Sequence, residues 1–191
     1  MAMSYAETVF LDVQVGHVPQ VVSALSCLEE TGAWVTEIGR LNRITLFRTA
    51  GTYDELLEGR PELLASLPHE HLVRVEVTSW HVITPVAEPG TYGGVYEWRC
   101  YEATPDGMAD LEERFLAAAP ERTELSSLTC TLVSLEGAPR FAHLWPYADL
   151  NQRAEVRAAA VAKGTWPPKV APFLTQMDNE ILVPLPGSAW R

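Results

Sequence analysis

The chain has 191 residues, 47% of them apolar and 20% charged, a globular composition long enough for one domain or two small ones. Fourteen lysines and arginines against 25 acidic residues give a formal net charge of -11, and the basic residues form no cluster, which argues against nucleic acid or an anionic membrane surface as partner. Cys27, Cys100 and Cys130 are odd in number and widely spaced, so neither a disulfide framework nor a zinc motif is expected, and a reducing cytoplasmic setting fits. Residues 1–6 lack a leader pattern, and no stretch approaches the roughly 20 apolar residues of a membrane span.

Residues 8–15 alternate Val9, Leu11, Val13 and Val15 with Phe10, Asp12 and Gln14, the two-residue period of a strand. The period then changes: Val18, Val21, Val22, Leu25 and Leu28 recur at helical spacing up to a stop at Thr31-Gly32. Strands over 33–38 and 43–47, joined by a turn containing Gly39, form a hairpin. A helix over 53–67 is expected to break or restart at Pro61, and 72–83 alternates as a strand.

After a linker at 87–94, whose glycines precede a strand and so lack a phosphate-cradling context, the order repeats. Strands are expected near 95–102, 128–135, 141–145 and 179–185, and helices over 105–119 and 149–163, with a shorter helix after Trp166. The two copies also share local features. Arg43 and Arg140 each precede an apolar run and a Tyr-x-x-Leu, and Val82-Ile83-Thr84-Pro85 matches Ile181-Leu182-Val183-Pro184.

Each half therefore reads βαββαβ, and two crossovers on one face of a four-stranded sheet leave the other face to be covered. The expected fold class is α+β: two tandem ferredoxin-like repeats, residues 1–87 and 88–191, packed sheet to sheet as a pseudo-two-fold α/β-barrel. The expected pocket lies inside the sheets' concave faces.

From Pro139 to Leu150 the sequence Pro-Arg-Phe-Ala-His-Leu-Trp-Pro-Tyr-Ala-Asp-Leu resembles the Asn-Arg-x-x-His-x-Trp-x-Tyr-x-x-Leu segment of the NIPSNAP family. Arg153 and Arg157 stand where the family tends to carry arginines. Residues 177–184 resemble its Gln-Glu-Asn-x-Leu-Leu-x-Pro ending, and 96–101 its Tyr-Glu-Leu-Arg-x-Tyr. In the first half, residues 36–43 resemble the family's Glu-Ile-Gly-x-x-Asn turn, with Leu46 near the expected histidine and Trp80 in place of the expected asparagine. The resemblance implies a dimeric α/β-barrel fold, whose relatives include cofactor-free monooxygenases, polyketide cyclases, isomerases and heme-binding enzymes. Fold likeness alone does not choose among them.

His143, in an apolar strand, is the first candidate base, presented to the barrel cavity, and His81 is the second, although its parity with the strand valines favours a packed side chain. Glu97 and Arg99 share a strand face and suit an ion pair or an anion clamp. Arg43 and Arg140 follow hairpin turns, where pairing with Glu37 or Glu136 is expected, and Arg99 or Arg43 would stabilise an oxyanion. Asp12, Arg43, Trp80, Trp98, Tyr101 and Trp145 are the candidate substrate-binding residues.

His69 and His71 have a chelating spacing, but without a third ligand they read as a turn, and no metal is expected. No cofactor is expected either. The preferred function is a cofactor-independent enzyme of natural-product metabolism. It would act by acid–base chemistry on an apolar or polyketide-like small molecule, leading to cyclisation, isomerisation or oxygenation. The rival is a noncatalytic small-molecule-binding or protein-assembly module, and a homodimer of the tandem chain is compatible with either.

Overall fold

The computed structural model describes residues 4–25 and 30–191. Cys27 and Leu28, both used above, lie outside the described residues. The first half runs β1 (Tyr5–Val13), α1 (Val18–Ala24), β2 (Gly32–Ile38), β3 (Arg43–Ala50), α2 (Tyr53–Ala65) and β4 (Leu72–Thr84). The second runs β5 (Val95–Ala103), α3 (Met108–Thr123), β6 (Cys130–Ser134), β7 (Arg140–Tyr147), α4 (Leu150–Lys163) and β8 (Leu174–Pro184).

The strands close into one antiparallel barrel in the order β1-β3-β2-β8-β5-β7-β6-β4. Within each half the order is that of a ferredoxin-like sheet. The halves join where β2 pairs with β8 and β4 with β6, so closure leaves no free sheet edge. Gly39 turns β2 into β3 at φ 128°, a conformation that side chains rarely adopt.

The helices form because their apolar spacing is backed by local caps. Thr52 and Glu55 make a reciprocal capping box at α2, Asp149 caps α4 through the Gln152 N–H, and Gly164 ends α4 in the left-handed region. Contrary to expectation, α2 runs through Pro61 and α3 through Pro120. The helix expected after Trp166 is only a three-residue 3-10 turn, Ala171–Phe173.

Three apolar layers result. Phe10, Trp34, Phe47, Trp80, Tyr96, Trp98, Leu132, Leu144 and Leu182 fill the barrel, with Trp190 inserted among them. Outside the first sheet, Val9, Leu11, Ile44 and Leu46 pack beneath α1 and α2. Outside the second, Tyr101, Phe141, Trp145 and Tyr147 pack against Leu111 and Phe115 of α3 and Val156 of α4.

The register relates the halves residue by residue. Glu7 of β1 corresponds to Glu97 of β5, and Arg43 of β3, paired with Asp12, corresponds to Arg140 of β7, paired with Glu102. Because Trp80 pairs with Ala6 and Leu182 with Tyr96, Trp80 is equivalent to Leu182. The position of Asn179, opposite Arg99, is taken in the first half by Val77, opposite Val9. The two Pro-terminated apolar runs that seemed equivalent are thus three residues out of register.

Candidate functional site

Alternation along β7 sends Ala142 and Leu144 into the barrel, while Phe141, His143, Trp145 and Tyr147 face the helices. His143 therefore does not look into the barrel, as the sequence suggested. It lines a cavity of about 230 Å³ on the outer face of the second sheet, roofed by α3, α4 and the 166–171 segment. The walls are apolar: Leu111, Phe115, Val161, Trp166, Val170 and Leu174. Arg99, Tyr101 and Arg157 join them from β5 and α4.

His143 is held in an aromatic box, its ring centroid 4.8 Å from Phe115 and 5.3 Å from Tyr101. The Trp145 indole N–H donates to His143 Nδ1 at 2.6 Å. An indole nitrogen can only donate, so Nδ1 must be the acceptor and Nε2 carries the proton. That Nε2–H is buried without a partner among the described residues. Burial, and then the charges of Arg99 and Arg122, push the imidazole pKa well below its ordinary value, so the ring is neutral. His143 thus presents a hydrogen-bond donor, and no lone pair, to the cavity.

Beside it lies an ion cluster centred on Glu97, which is buried. Arg153 Nη2 donates to Glu97 Oε1 at 2.7 Å, and Arg99 and Arg157 reach the same oxygen at 3.3 Å each. Arg122 donates to the Tyr147 hydroxyl at 2.8 Å and stacks 4.2 Å from the Trp145 ring. Three guanidiniums on one carboxylate, with Arg122 linked to it through the Tyr147 hydroxyl, make a local positive field inside an acidic chain, one that favours an anion in the cavity. The expected Glu97–Arg99 pair is present, on the outer face of the sheet.

The remaining candidates are dispersed. Tyr101 joins His143 at the cavity, with Arg99 5.4 Å from its ring, and Trp145 supports His143 from behind. Trp80 and Trp98 point the other way, into the barrel, with ring centroids 6.0 Å apart. His81 is not packed but exposed, 5.8 Å from the Tyr5 ring. Asp12 binds Arg40 at 2.7 Å and Arg43 at 2.9 Å. Neither turn arginine takes its expected partner: Arg43 reaches Asp12 and Glu180, and Arg140 donates to Thr78, while Glu136 accepts from the Ser79 N–H.

His71 sits in a 3-10 turn, its Nδ1 3.1 Å from that of His17. Among the described residues, no group of three metal-ligating side chains gathers. Sequence reasoning missed Phe115, Trp166 and Arg122. The four-residue spacing of Arg153 and Arg157, which puts both on the helix face toward β5, was the available signal for the cluster.

A closed barrel of two ferredoxin-like halves with a roofed, arginine-rich cavity on one outer face defines an α/β-barrel protein of the dimeric-barrel class, here with both halves on one chain. The NIPSNAP family model matches residues 96–189, and the second half of the chain is a NIPSNAP-family domain. The mouse protein NipSnap homolog 2 is 28% identical over 178 residues, covering 82% of this chain and 61% of the relative. The chain thus spans about three fifths of the length of the curated relatives it matches.

Among solved structures, a candidate monooxygenase from Fusobacterium nucleatum is similar with a TM-score of 0.73 at 10% identity, covering 96% of this chain and 93% of that one. An anthrone oxidase-like protein is similar with a TM-score of 0.62 at 9% identity, covering 96% and 93%. Both likenesses concern the fold. No helix among the described residues is long and apolar enough to cross a membrane.

Proposed function

We propose that the chain is a cofactor-independent enzyme that binds a small apolar molecule bearing an acidic carbon or hydroxyl in the cavity beneath α3 and α4, and stabilises its anion. One observation carries this reading: the buried, unpartnered Nε2–H of His143 in an apolar cavity, beside the Arg99 guanidinium. Donors fixed before the substrate arrives favour an oxyanion most where water is excluded. In this reading His143 donates to the developing enolate or phenolate oxygen and Arg99 neutralises it. Glu97, saturated by arginines, positions Arg99 and Arg157 and does not act as base.

Among the described residues no carboxylate lines the cavity, so in this reading the substrate proton leaves to water at its opening. Isomerisation or cyclisation through the enolate follows naturally, as does oxygenation where dioxygen meets it. The volume, below the few hundred Å³ typical of larger ligand sites, suits a one- or two-ring molecule of the kind found in polyketide-like metabolism. The lack of a lining base equally favours a second reading, a noncatalytic carrier of the same anion.

2-Tetralone, a two-ring ketone with acidic carbon–hydrogen bonds, distinguishes the two. Exchange of its α-protons for deuterium, followed by NMR, is expected to be accelerated by the protein. Arg99→Gln is expected to slow it on the order of 100-fold. Binding without accelerated exchange selects the carrier, and no saturable binding at all removes both readings.

A further inference from the structure

A second cavity, of about 460 Å³, opens at one mouth of the barrel and is separate from the site above. It is built from repeat-related pairs: Arg43 with Arg140, Phe10 with Cys100, and Glu76 with Asp178. Its floor is Trp98 and Phe10, their ring centroids 6.3 Å apart, with the fully buried Trp80 edge-to-face against Trp98. Each arginine lies near an aromatic face, Arg43 4.8 Å from Phe10 and Arg140 5.4 Å from Trp80.

The polar atoms of this mouth are unequally satisfied. The lining carboxylates have partners: Glu180 accepts from the Thr36 hydroxyl at 2.7 Å, Asp178 from Gln176 at 2.8 Å and Glu76 from Arg74 at 2.8 Å. Arg43 Nη2 and Arg140 Nε are buried N–H donors with no acceptor among the described residues, although the Arg43 side chain is only 9% exposed. Buried guanidinium donors are rarely left orphaned, because each forgoes the hydrogen bonds it would make with water.

The charges of the lining decide what kind of ligand fits. Arg40, Arg43 and Arg140 face Glu76, Asp178 and Glu180, three against three, and Asp12 stands behind Arg43. A plain anion gains nothing from the net field, and a plain cation leaves the orphaned donors unmet. A ligand carrying both charges uses both sets.

We propose that the barrel mouth is a binding site for a zwitterionic amino acid with an aromatic side chain. Its carboxylate is held by Arg43 Nη2 and Arg140 Nε, its ammonium faces Asp178 and Glu180, and its ring lies on the Trp98–Phe10 floor. The volume falls in the range of small-molecule sites. Both halves contribute, so the site exists only because the tandem barrel closes. Cys100 lines it with a thiol that burial pushes up to about 12, and the thiol therefore acts as wall and not as nucleophile.

The test is calorimetric titration of the whole protein with L-phenylalanine, alongside 3-phenylpropionate, which lacks the ammonium, and phenethylamine, which lacks the carboxylate. Saturable binding of L-phenylalanine is expected, with both analogues at least tenfold weaker and with the Trp80 and Trp98 indole N–H signals shifting in NMR spectra. Arg140→Gln is expected to weaken binding about tenfold. Cys100→Leu, which narrows the cavity without changing its charge, is expected to do the same and carries the test if Arg140→Gln does not fold. The proposal is overturned by absence of saturable heat at millimolar amino acid, by phenylpropionate binding as tightly, or by wild-type affinity in either folded variant.

Discussion

The outer faces of the two sheets start from the same frame and end differently. Each buries a glutamate on its first strand and holds it with an arginine from its second helix: Glu7 with Arg60 at 2.5 Å, and Glu97 with Arg157 at 3.3 Å. On the third strand they part. The first half has Leu46 and Arg48, and the second has His143 and Trp145 at the equivalent positions. Arg48 adds a second guanidinium to Glu7 at 2.9 Å, and Leu46 packs with Val9, Leu11 and Ile44. In the second half Trp145 cannot neutralise Glu97, so Arg153 does so from α4, and the imidazole is left facing a cavity. The buried carboxylate is the shared fastening of helix to sheet, whereas the imidazole on an apolar cavity belongs to the second copy.

If that division is right, the fastening matters equally in both halves. Glu7→Gln and Glu97→Gln are each expected to destabilise the protein by about 3 kcal/mol in urea unfolding, since either removes a buried countercharge from partly buried guanidiniums. A large loss in one half only would break the equivalence. Leu46→His tests the difference instead. It puts an imidazole into a packed apolar layer whose equivalent of Trp145 is Arg48, so no indole is available to hold the ring. A cost of about 2 kcal/mol is expected, with no ligand binding gained.

The third way to sharpen the contrast is pH. His143 has a folded-state pKa well below the ordinary 6.5 of the unfolded chain, from burial first and then Arg99 and Arg122. Between the two values the unfolded chain binds the extra proton. Stability should therefore be full above pH 6.5 and fall as the pH drops below it, by up to about 1.4 kcal/mol per pH unit. His143→Leu should remove that part of the slope. At neutral pH it should change stability by less than about 1 kcal/mol, because it exchanges the orphaned Nε2–H for an orphaned Trp145 N–H.

The strand and helix order was legible because each element carried its own period, and the pseudo-symmetry because Arg43 and Arg140 head equivalent strands. What did not come through was the direction in which the site faces. Along β7 both alternating sets are buried, Ala142 and Leu144 by the barrel and Phe141, His143 and Trp145 by the helices, so alternation separates two dry faces and not a dry one from a wet one. Proline gave a false stop in α2 because helix packing outweighed the local cost at Pro61. The register slip that equated Trp80 with Asn179 came from aligning the Pro-terminated runs, where only strand pairing fixes the correspondence.

The smallest expected effect separates fastening from function most cleanly. Arg157 is 42% exposed along its side chain and is the third guanidinium on a carboxylate already held by Arg153 and Arg99, so its charge is screened and replaceable. Arg157→Gln should cost less than about 1 kcal/mol in unfolding experiments. Arg60, its first-half counterpart, is one of two arginines on Glu7 among the described residues and also donates to Ser79 at 2.7 Å, so Arg60→Gln should cost more. Arg157 also lines the cavity, whereas in the first half Leu46 packs with Val9, Leu11 and Ile44. Weakened binding of a phenolate or enolate probe in Arg157→Gln, with stability nearly unchanged, would show that the second half keeps this arginine for its ligand. Equal stability losses in the two variants, with probe binding untouched, would instead return Arg157 to the fastening alone.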